Sequence, residues 1–153
     1  MMTGEQLHLA INHLPIVGAF LGLALVLLWM VRRADAGVLH AATLVLGLSA
    51  VGAVSAYLSG EEAEEAAEAR PGFDHDLVEE HEEAALPGTV LLGLSALIGV
   101  GLSVAAARGR AVPALGAAGW LAVTALSAAA MTQQGLSGRN LGHPEVYGIV
   151  AAP

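Results

Sequence analysis

The chain contains no cysteine and no lysine, and only 13% of its 153 residues are charged and 4% aromatic. The missing thiols exclude disulfides, iron–sulfur clusters, thiolate metal sites and covalently attached c-type haem. Six arginines against fourteen acids give a net charge of −8. Nucleic acid is therefore excluded as a partner, because phosphate binding needs a basic patch. A soluble globular domain carries about 25% charged residues. The low charge thus argues against a soluble enzyme, a DNA-binding domain and a disordered tail together.

What the chain has instead is apolar length. Hydrophobic residues make up 56% of it, and the runs 6–31, 36–60, 84–107 and 111–138 contain no Asp, Glu, Lys or Arg. Each run exceeds the roughly 20 apolar residues that a helix needs to cross the hydrocarbon core. The expected fold is all-α, an integral membrane four-helix bundle running up-down-up-down, in one membrane domain covering 1–153. Spans are expected at about 7–31, 37–59, 86–107 and 112–133, with a helical hairpin over 61–85 and a tail over 134–153. The N-terminus lacks the basic n-region of a secretory signal, so its apolar stretch is expected to remain as the first span.

The few charges predict a sidedness. Arg32, Arg33, Arg108 and Arg110 occupy two short connections, which are expected to be cytoplasmic. Both termini and the 61–83 connection then face outward, toward the periplasm if the membrane is a bacterial inner membrane. That side holds Glu5, Glu145 and the eleven acids of 61–83 against only Arg70 and Arg139.

Small residues recur at close-packing spacing: Gly18 and Gly22, Ser49 and Ala53, Ser95 and Gly99, Ala125 and Ala129. In EEAEEAAEAR, Glu61, Glu64, Glu65 and Glu68 share one helical face, and Pro71-Gly72 then breaks the segment. A second short helix is expected from Asp74 to Leu86. Leu77, Val78, His81, Ala84 and Ala85 form its less polar side, and Leu86-Pro87-Gly88 leads into the third span.

Five of the six histidines fall on the expected outer side: His8, His13, His75, His81 and His143. His13 lies inside the first charge-free run, where an ionisable side chain is costly and faces a partner or a cavity. Pro15, two residues on, cannot donate to the Ile11 carbonyl, which predicts a local bend. His81 sits on the inward side of the second short helix, and His143 lies in GHPE, two residues before Glu145. His8 is about 140° round the helix from His13, so the two are not expected to share a centre. His75 between Asp74 and Asp76 reads as a solvated helix start, and His40 as an interfacial residue on the cytoplasmic side.

The strings INHLPIVG (11–18), SGEEAEEAAEARPGFDHDLVEEHEEAAL (59–86) and GRNLGHPEV (138–146) resemble the landmarks of a family of small bacterial four-helix integral membrane proteins. The family's NHxPI motif falls on Asn12, His13 and Pro15, and its GExAE motif on Gly60, Glu61 and Glu64. PG and HExA fall on Pro71, Gly72, His81 and Glu82, and the ending on His143, Pro144 and Glu145. The tail departs from the pattern, with LGH where a basic residue precedes the histidine. The resemblance covers about a third of the chain and implies haem or metal binding, or an accessory role in a respiratory complex.

The residues support a membrane redox or cofactor-binding protein in which His13, His81 and His143 hold a cofactor at the outer mouth of the bundle. Two imidazoles can hold a b-type haem without cysteine. The same histidines with Glu61, Glu64 or Glu145 suit a transition metal such as Fe, Cu or Zn. The alternative is a non-catalytic accessory subunit in the bilayer, beside other membrane subunits, whose acidic outer face docks a cationic periplasmic electron carrier. No GxSxG, Walker or HExxH motif marks an enzyme, and one ExxH, Glu5 to His8, lacks the second copy of di-iron bundles.

Overall fold

A computed structural model describes residues 3–32, 35–68 and 73–142, with side chains through Gly138. Among these residues every regular element is helical: α1 Gly4–Ile11, α2 His13–Val31, α3 Ala36–Leu58, α4 Gly60–Glu68, α5 His75–Ala107 and α6 Ala114–Gly142. Four stretches, Gly4–Val31, Ala36–Glu68, His75–Ala107 and Ala114–Gly138, are long and apolar enough to cross a membrane. No more than a third of the most apolar window of each is buried inside the protein. The remainder is an apolar outer surface, including Phe20, Leu27, Leu48, Val90, Leu97 and Leu126. Such a surface requires lipid around it, so the chain is a multi-pass membrane protein.

The bundle is cyclic, with α2 against α3, α3 against α5, α5 against α6 and α6 against α2. Neighbours run antiparallel. The turn around Arg32 and the turn carrying Arg108 and Arg110 lie at one end, while α1, α4 and the first turns of α5 lie at the other. These are called here the arginine end and the acidic end.

Glycine sets how closely the helices approach. On α2 a β-carbon at Gly18 would overlap the Ser49 hydroxyl, and one at Gly22 would overlap Leu46. On α5 one at Gly88 would meet Met131, and one at Gly99 would lie 2.9 Å from Trp120 and 3.0 Å from the Thr43 hydroxyl. Three of the four expected small-residue pairs therefore lie in helix seams. The fourth does not: Ala125 and Ala129 are exposed, and α6 turns Thr124, Ser127, Ala128 and Met131 inward instead. Composition supplied alanines on both faces of α6, so spacing alone could not choose between them.

The hydroxyls and the indole of the interior find local partners, whereas the buried Gln134 Oε1 accepts no hydrogen bond among the described residues. Trp120 is fully buried, meets Trp29 edge-on at 5.5 Å and donates its indole N–H to the Ser95 carbonyl at 2.9 Å. The Thr124 hydroxyl donates to the Trp120 carbonyl at 2.7 Å and so accepts from Ser95 Oγ at 2.7 Å. Thr43 bonds the Leu39 carbonyl in the same way and accepts from Ser103 at 2.9 Å. In lipid no water replaces such partners.

Helix ends follow their capping residues. Thr3 and Gln6 form a reciprocal capping box at α1, and Glu62 of α4 accepts from the Gly4 N–H at 2.8 Å, which ties α4 onto α1. Asp35 caps α3 through Gly37 and Val38, and Asp74 caps α5 through Asp76. The second short helix expected over 74–86 is not separate. It is continuous with the third span through Pro87, so α5 has 33 residues and is about 50 Å long. Pro87 withholds one donor from the Glu83 carbonyl, but Glu83 is exposed at the edge of the apolar run, where water can serve that acceptor. Likewise α6 continues beyond 133 to Gly142, placing Gln134 and Ser137 on its buried side.

The seams generate a stability test. Gly18→Ala is expected to destabilise the detergent-solubilised protein by about 1–3 kcal/mol, read as a lowered thermal midpoint. Gly101→Ala, whose β-carbon would meet nothing within 4 Å, is expected to leave the midpoint unchanged or raise it. Equal effects of the two would show that close packing at α2–α3 is not what holds the bundle.

Candidate metal centre

At the acidic end, α4 packs on α1 and carries Glu64 and Glu68 one turn apart on the same face. Asp74 starts α5 so that His75 is its first residue, and the His75 ring stands edge-on to Phe73 at 4.7 Å. One ligand atom from each of Glu64, Glu68 and His75 lies within 4.8 Å of the other two. Among the described residues this is the group of three that could hold a metal ion. Glu64 is half-buried while Glu68 and His75 are exposed. Zinc bonds to such donors are about 2.0–2.2 Å long, so the three atoms would have to draw closer together to hold an ion.

Among the described residues, the charges gathered around this group are carboxylates. Glu82, on the facing turns of α5, has its carboxyl held above the ordinary carboxylate value, by desolvation first and then by Glu64, Glu61 and Glu79. A cation seated between α4 and α5 relieves that repulsion.

The expected site residues disperse. Glu64 enters the group just described and Glu61 stays exposed beside it. His13 is exposed on the surface of α2, its Nδ1 hydrogen-bonded to the neighbouring Asn12 side chain. His143 and Glu145 lie outside the described residues. His81 does face inward as its helical side predicts, but it packs on α6. Its Nδ1 is 3.1 Å from Ser137 Oγ, and a β-carbon at Gly138 would lie 2.9 Å from its Cε1.

His81 belongs to the part of α5 that projects beyond the bilayer, since Asp76, Glu79, Glu80, Glu82 and Glu83 surround it and the charge-free run starts at 84. Its pKa is lowered from 6.5, by burial first and then by the nearby His8, with the Gln134 carbonyl acting in the opposite sense. His8, not expected to share a centre with His13, is half-buried and bonds the Ala56 carbonyl through Nδ1 at 2.9 Å. The chain breaks at Asn12, between α1 and α2, where Pro15 denies the Ile11 carbonyl a donor. His8 thus faces α3 while His13 faces outward, as their 140° separation requires.

Two placements at the acidic end, those of His75 and Gln134, escape a reading of the sequence. His75 looks like a helix start, which it is, and nothing local indicates that it comes within reach of Glu64 and Glu68. Gln134 sits where the fourth apolar run becomes polar. The recoverable signal is the stripe Trp120, Thr124, Ser127, Met131, Gln134 and Ser137, which continues at helical spacing past the expected end of the span. At the arginine end, a cleft of about 370 Å³ is lined by Trp29, Met30, Leu39, Arg110 and Ala117 among others, with no histidine or carboxylate.

Compared with known proteins, the chain matches no family model, no curated protein and no solved structure.

The half-buried His81 is expected to make stability pH-dependent. The unfolded chain takes up the imidazole proton near 6.5 and the folded chain only at lower pH, so stability is lost as pH falls through 6.5 toward the depressed value. Between pH 7 and 5.5 the thermal midpoint is expected to fall, and His81→Asn, which can still donate to Ser137, is expected to flatten that slope. Parallel slopes in the two proteins would remove His81 as the cause.

Proposed function

We propose that this is a membrane-anchored metal-binding protein that holds a transition-metal ion at its acidic end through Glu64, Glu68 and His75. The observation that carries this reading is the convergence of one imidazole and two carboxylates from two helices within 4.8 Å. One nitrogen and two oxygens suit a borderline or hard ion, Zn or Fe(II) rather than Cu(I), and leave coordination positions open to water. A bare ion fits this end better than a haem. The glycine seams, where a macrocycle would need room, are filled by Ser49, Leu46, Met131 and Trp120.

The arginines of the short turns favour a cytoplasmic arginine end and an acidic end facing the periplasm of a bacterial inner membrane. In that setting the open coordination positions and, with iron, a change of oxidation state give the centre a redox or metal-handling role within a respiratory assembly. A second reading is favoured by a separate observation: Glu61, Glu65, Glu79, Glu80, Glu82 and Glu83 are all exposed around the group. Such a face steers a cationic partner, such as a soluble electron carrier, with an association rate that falls with salt.

Detergent-purified protein titrated with Zn2+ or Fe2+ by calorimetry is expected to bind an ion that Glu64→Gln, Glu68→Gln or His75→Ala each weakens by at least about ten-fold. Glu79→Gln is expected to change affinity by less than about three-fold, since it alters charge and not ligation. Loss of affinity that tracks total charge removed, regardless of position, would overturn the site and leave the docking reading.

A further inference from the structure

The arginine end has a chemistry of its own, and it starts in the turn after α5. Gly109 takes a φ of 69°, and its N–H donates to the Ala106 carbonyl at 2.9 Å while that of Arg110 donates to the Ala105 carbonyl at 3.0 Å. This is a Schellman ending, in which a left-handed glycine closes the helix and the following residue is tied back to the last turn. The position after that glycine commonly packs an apolar side chain on the helix. Here it holds Arg110, which is exposed and lines the cleft of about 370 Å³ at this end of the bundle.

The lining of that cleft is amphipathic. Trp29, Leu39 and Ala117 are its buried members, while Ala36, Arg110 and Ala114 are exposed at its rim. Among the described residues Arg110 is the one ionisable side chain of the lining, and no carboxylate pairs with it. Asp35, the acid beside Ala36, is engaged by the Gly37 and Val38 N–H groups that it caps. No such cap serves α6: the residue before it is Pro113, which has no side-chain oxygen, so the free N–H groups and positive dipole end of α6 stand at the rim with Ala114. Trp29 adds a further donor. It is only 4% exposed, and its indole N–H, unlike that of Trp120, has no acceptor among the described residues. Donors and a cation above an apolar floor match a ligand with an anionic head and an apolar tail.

We infer that this cleft is a binding site for a net-anionic phospholipid of the leaflet at the arginine end, with Arg110 and the first turn of α6 on its phosphate and the base of its acyl chains over Trp29 and Leu39. The bilayer that the apolar outer surface requires supplies such a molecule at this depth. Guanidinium binds phosphate through paired hydrogen bonds, and a helix N-terminus is a ready anion site. The volume lies within the range of about 300–1,000 Å³ usual for small-molecule sites, enough for a headgroup and not for a whole lipid. Headgroup selectivity follows from the surrounding charge. Arg32 lies two residues beyond the lining Met30, and Arg108 lies between the lining Ala106 and Arg110, so the ammonium of a zwitterionic headgroup meets only cations here.

The two tryptophans of the chain, Trp29 in the cleft and Trp120 beside it at 5.5 Å, make lipid occupancy readable. The full chain is reconstituted in bilayers in which bromine-labelled phosphatidylglycerol or bromine-labelled phosphatidylcholine competes with its unlabelled counterpart, and quenching of tryptophan fluorescence gives the relative affinity. Phosphatidylglycerol is expected to be preferred by about five-fold, the effect of one basic residue at a membrane surface. Arg110→Gln is expected to abolish that preference. Ala111→Leu, which narrows the lining without changing charge, is expected to lower it, and Arg108→Gln, which removes the same charge outside the lining, to retain most of it. Thermal midpoints confirm that each variant is folded. Absence of a preference in the unmodified protein overturns the site. So do equal losses in Arg108→Gln and Arg110→Gln with Ala111→Leu unaffected, which would show diffuse attraction to an anionic surface. Recovery of fluorescence on adding inorganic phosphate at constant ionic strength would also overturn it, in favour of a soluble anion.

Discussion

Everything in this molecule follows from the inability of the bilayer core to hydrogen-bond a polar group. Helices satisfy their own backbone, which makes the chain helical wherever it is apolar. Lipid tails are as apolar as leucine, so burial of leucine cannot hold the helices together, and the chain relies on close contact instead. That is why the seams are built on Gly18, Gly22, Gly88 and Gly99 while large residues such as Phe20 and Leu97 point outward. The same constraint governs the buried hydroxyls. Ser49, Thr124, Ser127 and Ser137 each return their proton to a carbonyl three or four residues earlier in their own helix. They can then accept from a neighbour without any donor being left over.

Because the core accepts no charge, length in excess of the bilayer becomes functional surface. The hydrocarbon is about 30 Å thick and α5 about 50 Å long. The surplus turns of α5 project at the acidic end, and α6 rises beside them to Gly142. His81 and Ser137 therefore meet on continuous helices rather than on loops. A side chain held between two rigid helices is fixed in direction, whereas His75, at a helix start, owes its position to the Asp74 cap and the Phe73 ring.

The architecture was legible because it rests on composition, which needs no tertiary information. Four charge-free runs implied four spans, and three of the four small-residue pairs picked by spacing lie in helix seams. Legibility failed where two solutions share one local pattern. The Ala125/Ala129 pair and the Thr124/Ser127/Ala128 stripe are both compatible with α6, and only contact with α5 decides between them. Histidine placement shows the same limit more sharply. His8 and His13 lie on opposite faces, a fact available from spacing, but which face is the inner one depends on how α1 docks against α3 and α4. Glu62 reaching the Gly4 N–H is part of that docking, and its 58-residue separation puts it beyond any local reading.

This docking also explains why the acidic end can tolerate its own charge. Glu62 is used at the N-terminus of α1, where unsatisfied N–H groups and the helix dipole favour an anion, and Asp74 is used in the same way at α5. Carboxylates so engaged are structural and are not available to an ion. Glu64 and Glu68 have no such backbone role in the fold described here, and with Glu61, Glu79 and Glu82 nearby they repel one another. The acidic end thus divides into acids that close helices and acids left without that role, which a cation would neutralise. Cation binding and the stability of the α1–α4 contact are then linked: an ion that neutralises Glu64 and Glu68 removes repulsion from the helix whose other face holds α1, and with it His8, in place.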